Sequence, residues 1–163
     1  MSRKRVYHHP DNILRITSKE VPADLITSPE MQKLVADMKE TMVKENGVGL
    51  AAPQVGEHIR LIVCETPKGV RAYFNPTITF GSEKMIDSEE GCLSIPEVYG
   101  IVKRHKSVKA QALDEQGQVV NLKTGGLLAV ILQHEIDHLN GILFIDRAHT
   151  LHDMTEEKAE SIL

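Results

Sequence analysis

Two histidines near the C-terminal end of the chain stand four residues apart, with a glutamate directly after the first: His134-Glu135-Ile136-Asp137-His138. In a helix this spacing places both imidazoles on one face, one turn apart, beside the carboxylate. Metallohydrolases use this arrangement to hold a divalent ion and to move a proton. The motif predicts a metal-dependent enzyme, although two core histidines and a surface glutamate can also produce it by chance.

Two imidazoles leave a catalytic tetrahedral site one protein ligand short. A longer form of the motif, found in one group of metalloproteases, continues to a third histidine, but this chain has Phe144 at that position. Glu157 or Glu160 could serve by position, although both belong to an acidic tail that we expect to be solvated. A thiolate is the remaining choice. We expect Cys92 to lie in an irregular, accessible segment and Cys64 to be buried as core filling, so Cys92 is the better ligand.

Composition limits the classes of function. The chain has 163 residues, and its 23 acidic and 19 basic side chains, with a net charge of −4, are scattered along it. This length fits a single domain over residues 1–163, and no basic face is evident for nucleic acid. The longest apolar runs are too short to span a bilayer, and the polar residues that follow Arg5 are not expected to form a signal region. We expect a soluble intracellular protein.

A helix over residues 28–45 and a second helix from about 125 to 141 are expected to position the candidate ligands. Ser28 and Pro29 form a helix start, and apolar residues follow at helical spacing. In the second helix, Leu127 and Ile131 share a face with both histidines of the motif, so the imidazoles should point into the protein. Residues 153–163 are expected to form a short surface helix.

Between the two long helices the sequence predicts a loop and several short strands. Residues 47–54 are rich in glycine and alanine, and we expect a loop there that lets a ligand approach its backbone. Alternating apolar residues predict strands over 60–65, 70–75, 77–80, 107–113 and 119–123. The order helix, strands, helix indicates one α+β domain with antiparallel hairpins.

Three short motifs occur in this order: Gly47-Val48-Gly49-Leu50-Ala51-Ala52-Pro53-Gln54, Glu90-Gly91-Cys92-Leu93-Ser94 and Gln133-His134-Glu135-Ile136-Asp137-His138. Together they resemble the three motifs of the peptide deformylase family, in that family's order and spacing. The resemblance extends from about the first helix to Asp146. It implies antiparallel strands packed around a central helix that carries the histidines, with an N-terminal and a short C-terminal helix.

The resemblance also implies a reaction, in which the formyl group is removed from the N-terminal formyl-methionine of new polypeptides. A divalent metal held by Cys92, His134 and His138 would activate a water molecule. Glu135 would carry the proton to the leaving nitrogen. The side-chain amide of Gln54 and the backbone N–H of Leu93 would stabilise the oxyanion. Fe(II) is the metal that the family implies, with Ni(II), Co(II) or Zn(II) as substitutes.

Further expectations concern the substrate and the surroundings of the enzyme. An extended peptide would run beside Val48 and Gly49, and the methionine side chain would enter a pocket that includes Leu127, Val130 and Ile131. These apolar residues could equally be ordinary core residues. Other polar residues could orient the ligands or simply be solvated, and the sequence does not distinguish the two: Glu90, Ser94 and Asp137.

The expected partners are nascent formyl-methionyl polypeptides, and we expect a monomer that contacts neither a membrane nor nucleic acid directly. Residues 153–160 are acidic, which makes a transient ribosome contact through the tail doubtful. A bacterial cytoplasm is expected, although a mature organellar form would look alike. Two other hypotheses remain open at this point: a metallopeptidase of the zincin type and a metal-stabilised binding module.

Overall fold

The computed structural model describes residues 2–153. This part of the chain is a mixed α+β structure with two antiparallel sheets, so the predicted α+β class and antiparallel pairing are confirmed. The predicted helix over 153–163 falls almost entirely on residues 154–163, outside the described residues. Its first residue, Asp153, is the last residue of a strand.

The first long helix, α1, spans Pro29–Lys44 and confirms the predicted helix over 28–45. The Ser28 side chain accepts a hydrogen bond from the Met31 backbone N–H at 3.3 Å, which satisfies a donor at the helix start. The face that includes Val35, Met38 and Met42 is buried. These residues form one core with apolar residues of the first two strands and with Phe74.

Eight strands are present among the described residues. In chain order they are β1 (Gly49–Ala51), β2 (Leu61–Thr66), β3 (Gly69–Gly81), β4 (Met85–Cys92), β5 (Ile95–His105), β6 (Ser107–Leu113), β7 (Val119–Gly125) and β8 (Thr150–Asp153). The larger sheet has the order β1-β2-β3-β6-β7, and the smaller sheet has the order β4-β5-β8. Where the sequence predicted separate strands over 70–75 and 77–80, the structure has one long strand with irregular pairing between Phe74 and Thr77.

The prediction of a loop over 47–54 holds for Gly47 and Val48 but was wrong from Gly49 onward. Gly49, Leu50 and Ala51 form β1, are fully or almost fully buried, and pair with Cys64, Val63 and Ile62 of β2. The next residues form a short 3-10 turn, Ala52–Val55. Glycine and alanine have low strand propensity, but pairing with an apolar neighbouring strand overrides that preference.

The smaller sheet was not predicted, and its first strand, β4, carries few of the apolar residues that mark strands. In β4 the residues alternate between exposed and partly buried over Met85–Glu89, and most of them are polar or charged. Asp, Glu and Ser are depleted in strands, so the local signal is weak. The pairing of β4 with β5 along almost their whole length supplies the stabilisation that the composition does not indicate.

The second long helix, α2, spans Gly126–Leu139 and contacts strands of both sheets. Residues 129–139 are all buried, including the polar ones. The chain leaves the helix at Gly141, whose φ of +72° favours glycine, and an added Cβ would lie 2.5 Å from the Arg15 carbonyl oxygen. A single helical turn, α3 (Phe144–Arg147), follows. Within residues 2–153 no helix is both long and apolar enough to cross a membrane.

Candidate metal centre

The end of β4 and one face of α2 bring three metal-ligating side chains together. Cys92 is the last residue of β4, and His134 and His138 lie one turn apart on α2. One donor atom from each residue lies within 4.8 Å of the other two, and all three residues are buried. The Cys92 Sγ is 3.3 Å from the His138 Nε2. The structure therefore offers a possible metal site with one sulfur and two nitrogen donors.

The unpaired atoms at this cluster fit a metal ion. The His134 Nδ1 is 2.8 Å from Glu90 Oε1, whereas its Nε2 is buried without a hydrogen-bond partner. Buried polar atoms are rarely left unpaired, and a ligating histidine usually has its second nitrogen held by a carboxylate in this way. Sulfur and imidazole donors suit Zn(II) and other first-row divalent ions.

The surroundings of the two histidines shift their pKa values in opposite directions. Burial lowers the pKa of His134, but the neighbouring Cys92, Glu90 and Glu135 raise it by more, so that its pKa lies well above the ordinary value. Burial, together with the neighbouring His134, lowers the pKa of His138 well below its ordinary value. These surroundings keep His138 neutral, the form of imidazole that binds metals, whereas the raised pKa of His134 favours its protonated form, which must lose a proton when a metal binds.

The prediction that Cys92 is accessible was wrong, because its side chain is fully buried. Cys92 pairs with Ile95 where β4 turns into β5, and Gln54 and His138 contact its sulfur. Cys64 is also fully buried, as predicted. Burial and the nearby Glu135 raise the pKa of the Cys64 thiol to about 12, so it stays protonated at neutral pH.

The Glu135 carboxylate lies beside the cluster and is completely buried. Neither of its oxygens has a hydrogen-bond partner among the described residues. Burial raises the pKa of Glu135 to about 7, although the neighbouring His134 lowers it in part. An added Cβ at Gly49 would lie only 2.5 Å from Glu135 Oε1, so a larger residue there would displace the carboxylate. A group with this pKa can both accept and donate a proton near neutral pH.

Gln54 and Leu93, predicted to stabilise the oxyanion, lie next to Cys92. Gln54 is fully buried, and its Oε1 accepts a hydrogen bond from the Ala51 backbone N–H at 2.8 Å. That contact fixes the side-chain amide so that Nε2 donates to Ser94 Oγ at 3.1 Å and lies 3.5 Å from the Cys92 sulfur. Leu93 follows Cys92 directly and is 8 % exposed.

Three of the predicted substrate-binding residues pack together. Val48, Val130 and Ile131 belong to the same apolar cluster, and Gly49 follows Val48 in β1. Leu127 differs because its side chain is 60 % exposed. Phe144, which occupies the position of the third histidine in the longer motif, is buried and stacks on the His134 ring with 6.1 Å between ring centroids. The alternative glutamate ligands, Glu157 and Glu160, lie outside the described residues.

A buried network of charges that the sequence did not reveal supports His134 through Glu90. Arg104 donates two hydrogen bonds to Glu90, at 2.7 and 2.8 Å, and one to Asp137 at 2.7 Å. Arg147 contacts the same Asp137 at 2.7 and 3.0 Å. Burial alone would raise the pKa of Glu90, but the hydrogen bonds from Arg104 and His134 outweigh it and lower the pKa to about 2.

Glu90 and Asp137 are therefore hydrogen-bonded to buried partners and are not solvated. Ser94 is buried as well. If β5 had been predicted from the sequence, Arg104 would have been recognised as a buried charged residue. Side chains alternate across a strand, so Arg104 shares the inward face with Val102 and Gly100, all of which are buried. A charged residue at an inward position predicts a buried partner.

This α+β fold, with a thiol, two imidazoles and a carboxylate around one buried point, defines a hydrolase with a candidate metal centre. The chain matches the family model for polypeptide deformylase over residues 3–154. It is 42 % identical to a peptide deformylase of Brucella suis biovar 1, covering 99 % of this chain and 94 % of that protein. A peptide deformylase of Psychrobacter arcticus is 43 % identical, covering 86 % of this chain and 77 % of the relative. The chain belongs to the peptide deformylase family.

Solved structures support the same assignment. A class I type b peptide deformylase from Acinetobacter baumannii, solved with actinonin bound, matches with a TM-score of 0.86 and 39 % identity, covering 90 % of this chain and 99 % of that chain. The peptide deformylase of Thermotoga maritima matches with a TM-score of 0.86 and 37 % identity, covering 91 % and 99 %. The predicted family is confirmed, and with it the prediction that the chain is an enzyme.

Proposed function

We propose that this enzyme is a metal-dependent hydrolase that removes the formyl group from the N-terminal formyl-methionine of newly made polypeptides and releases formate. The observation that carries the proposal is the convergence of Cys92, His134 and His138 beside the buried, unpaired Glu135 carboxylate. Membership of the peptide deformylase family supports the same reaction. Because the curated relatives are bacterial, we place the reaction in a bacterial cytoplasm.

Cys92, His134 and His138 would hold one divalent ion, which we propose to be Fe(II), with Ni(II), Co(II) or Zn(II) as substitutes. When bound, such an ion lowers the pKa of a water molecule and polarises the formyl oxygen. The Cys92 thiolate brings a full negative charge, which reduces the residual positive charge at the site. Glu90 holds the His134 ring in place through Nδ1, which leaves Nε2 for the ion.

Glu135 moves the proton. Its carboxylate takes a proton from the attacking water and gives it to the departing amine nitrogen, so the peptide leaves as a neutral amine. A pKa of about 7 suits both steps. Gln54 and Leu93 serve the other side of the reacting carbon, where the side-chain amide and the backbone N–H donate to the oxygen as it gains negative charge.

The edge of the larger sheet suits an extended peptide. β1 is the edge strand of that sheet, with β2 on one side only, and Gly49 of β1 touches Glu135. A peptide added along this edge can form main-chain hydrogen bonds whatever its side chains are. We place the methionine side chain against Val48, Leu127, Val130 and Ile131.

The test is formate release from a formyl-methionyl peptide by anaerobically prepared, iron-loaded protein, with metal content measured alongside. We expect Glu135→Gln to lower the rate by at least about 10²-fold while metal content is kept. Cys92→Ser should lose the metal, whereas the matched variant Cys64→Ala, which removes the other buried thiol, should retain it.

The competing hypotheses give different results. If fully iron-loaded protein released no formate, the proposal would be wrong. Cleavage of internal peptide bonds, with the metal retained in Cys92→Ser, would favour a zincin-type metallopeptidase. A metal-stabilised binding module would show neither activity and would unfold on chelation.

A further inference from the structure

One residue of the third motif, Gln133, has no part in the proposed reaction, although it directly precedes His134. It is buried on α2, with 8 % of its surface exposed. Its Oε1 accepts a hydrogen bond from the His105 backbone N–H at 2.9 Å, and its Nε2 donates to the His105 carbonyl oxygen at 3.0 Å. The side-chain amide therefore pairs with both polar groups of one backbone residue, as a residue of a neighbouring strand would.

The orientation of this amide is also fixed from within the helix. Nε2 donates its second hydrogen to the Ala129 carbonyl oxygen at 2.9 Å, one turn earlier in α2. Both donors of the Gln133 amide are thus used by backbone carbonyls, and the side chain cannot turn without leaving polar groups unpaired at a buried position. His105 is held as well, because its Nδ1 lies 2.7 Å from the Ser82 carbonyl oxygen.

His105 offers its backbone groups to Gln133 because this end of β5 extends beyond β8. β4 pairs with β5 up to His105, whereas β8 pairs only with residues 98–101 of β5. A backbone N–H and C=O left without a partner on the β8 side would be costly where the chain is covered by α2. Gln133 takes the place of the missing strand partner, so that the helix is attached directly to the strand.

The Gln133 contact and the metal ligands lie at the two ends of the face that α2 shares with the β4–β5 hairpin. His105 is at the open end of that hairpin, and Cys92 is at its turn. On α2, His138 lies roughly 7.5 Å along the helix axis from Gln133. A contact with backbone atoms holds the strand itself, because backbone groups, unlike the long Arg104 side chain, have no alternative rotamers.

We propose that Gln133 is a positioning residue of the metal centre, which sets the position and rotation of α2 on β5 so that both imidazoles reach the Cys92 sulfur. This inference rests on the proposed metal-dependent function. Loss of the contact would leave every ligand in the chain but would shift the histidines relative to the thiol. Glu135 would shift with them, and small displacements of reacting groups lower rates strongly.

The test uses Gln133→Met, which keeps the length of the side chain but removes the amide. The variant and wild type are titrated with Co(II), whose absorption spectrum reports how sulfur and nitrogen ligands surround the ion. We expect Gln133→Met to bind Co(II) about tenfold more weakly, at the lower end of the loss typical when supporting residues of a metal site are changed, and to show an altered spectrum. In the iron-loaded protein, kcat for formate release should fall by at least about tenfold, with KM within about twofold.

Gln32→Met is the matched control, because Gln32 also attaches a helix to neighbouring segments through backbone carbonyls. Its Nε2 donates to the Ile26 and Glu115 carbonyl oxygens at 2.8 and 2.9 Å. Gln32 lies on α1, which carries none of the metal ligands. Its substitution should lower the urea midpoint of unfolding by a comparable amount, but should leave Co(II) affinity within about twofold of wild type and the spectrum unchanged.

The inference is overturned if Gln133→Met binds Co(II) with wild-type affinity and spectrum, or if Gln32→Met changes both equally. If Gln133→Met does not fold, Gln133→Asn keeps the amide on a stem one carbon shorter and carries the same expectation and the same refutation. Absence of formate from wild-type protein would instead refute the proposed function. The comparison of Co(II) binding between the variants then still decides the role of Gln133.

Discussion

Arg104→Met tests whether the buried charges beside the candidate metal centre hold it in shape. The Arg104 side chain is only 4 % exposed and donates three hydrogen bonds, two to Glu90 and one to Asp137. Methionine has a similar length but no donor, so it fills much of the same space while both carboxylates lose a cation. In this variant Asp137 would still be paired with the guanidinium of Arg147. The Glu90 side chain, which has no exposed surface, would keep only its hydrogen bond with His134.

The expected loss of stability follows from this difference between the two carboxylates. Breaking a buried ion pair by removing one partner costs about 3–5 kcal/mol, because the remaining charge stays out of water. Since Asp137 retains Arg147 and only Glu90 is left short of a cation, we expect a loss of about 4 kcal/mol. Addition of Glu90→Gln to Arg104→Met removes the uncompensated charge and should recover part of the loss.

Urea unfolding of the metal-free protein at pH 7 measures the loss of unfolding free energy. The dependence of that free energy on urea concentration should be compared between variants. Lys103→Met is the matched control, because Lys103 precedes Arg104 and pairs with Asp87 at the surface, where the two side chains are 64 % and 54 % exposed. That pair should contribute less than about 1 kcal/mol. Arg104→Met should also weaken metal binding by about 10–100-fold through the freed Glu90. A loss below 1 kcal/mol, equal to that of Lys103→Met, would refute the argument.

Three further predictions concern single side chains. Gly49→Ala should lower formate release by about 10²-fold at unchanged metal content, because the new Cβ would lie 2.5 Å from Glu135 Oε1 and displace that carboxylate; an unchanged rate would contradict the contact. The Arg15 hydrogen bond lowers the pKa of Asp146 below its usual 3.8, so the pair stabilises the protein above that pH and the stabilisation is lost as the pH falls through the lowered value. Thermal unfolding should accordingly show wild type more stable than Asp146→Asn by up to about 1 kcal/mol at pH 6, with the gap closing below about pH 4; a gap independent of pH would exclude this cause. Phe144→Ala should cost about 3–5 kcal/mol in urea unfolding, because the ring is 1 % exposed and packs on the ligand helix; a loss under 1 kcal/mol would show that the packing is loose.

Local signals predicted several elements well. The Ser28 cap and the following proline located the start of α1, and the apolar face gave its length to within a residue or two. Such signals act over a few residues and are therefore visible in the chain itself. The strand predicted over 60–65 is likewise β2, shifted by one residue. β4 was not predicted, because its stabilisation comes from pairing with β5 and not from its own composition.

The sequence by itself was enough to identify the family from its three motifs, and helical spacing, a property of the chain alone, selected His134 and His138. Cys92 was selected together with its motif, although the accessibility expected for it was wrong. Only the tertiary structure decided that Cys92 is buried and that its sulfur lies 3.3 Å from a His138 nitrogen, across 46 residues of sequence. The same holds for Arg104, which meets Glu90 and Asp137 at separations of 14 and 33 residues. No local propensity encodes such contacts, since they arise when a sheet and a helix pack together and bury charges that must then find partners.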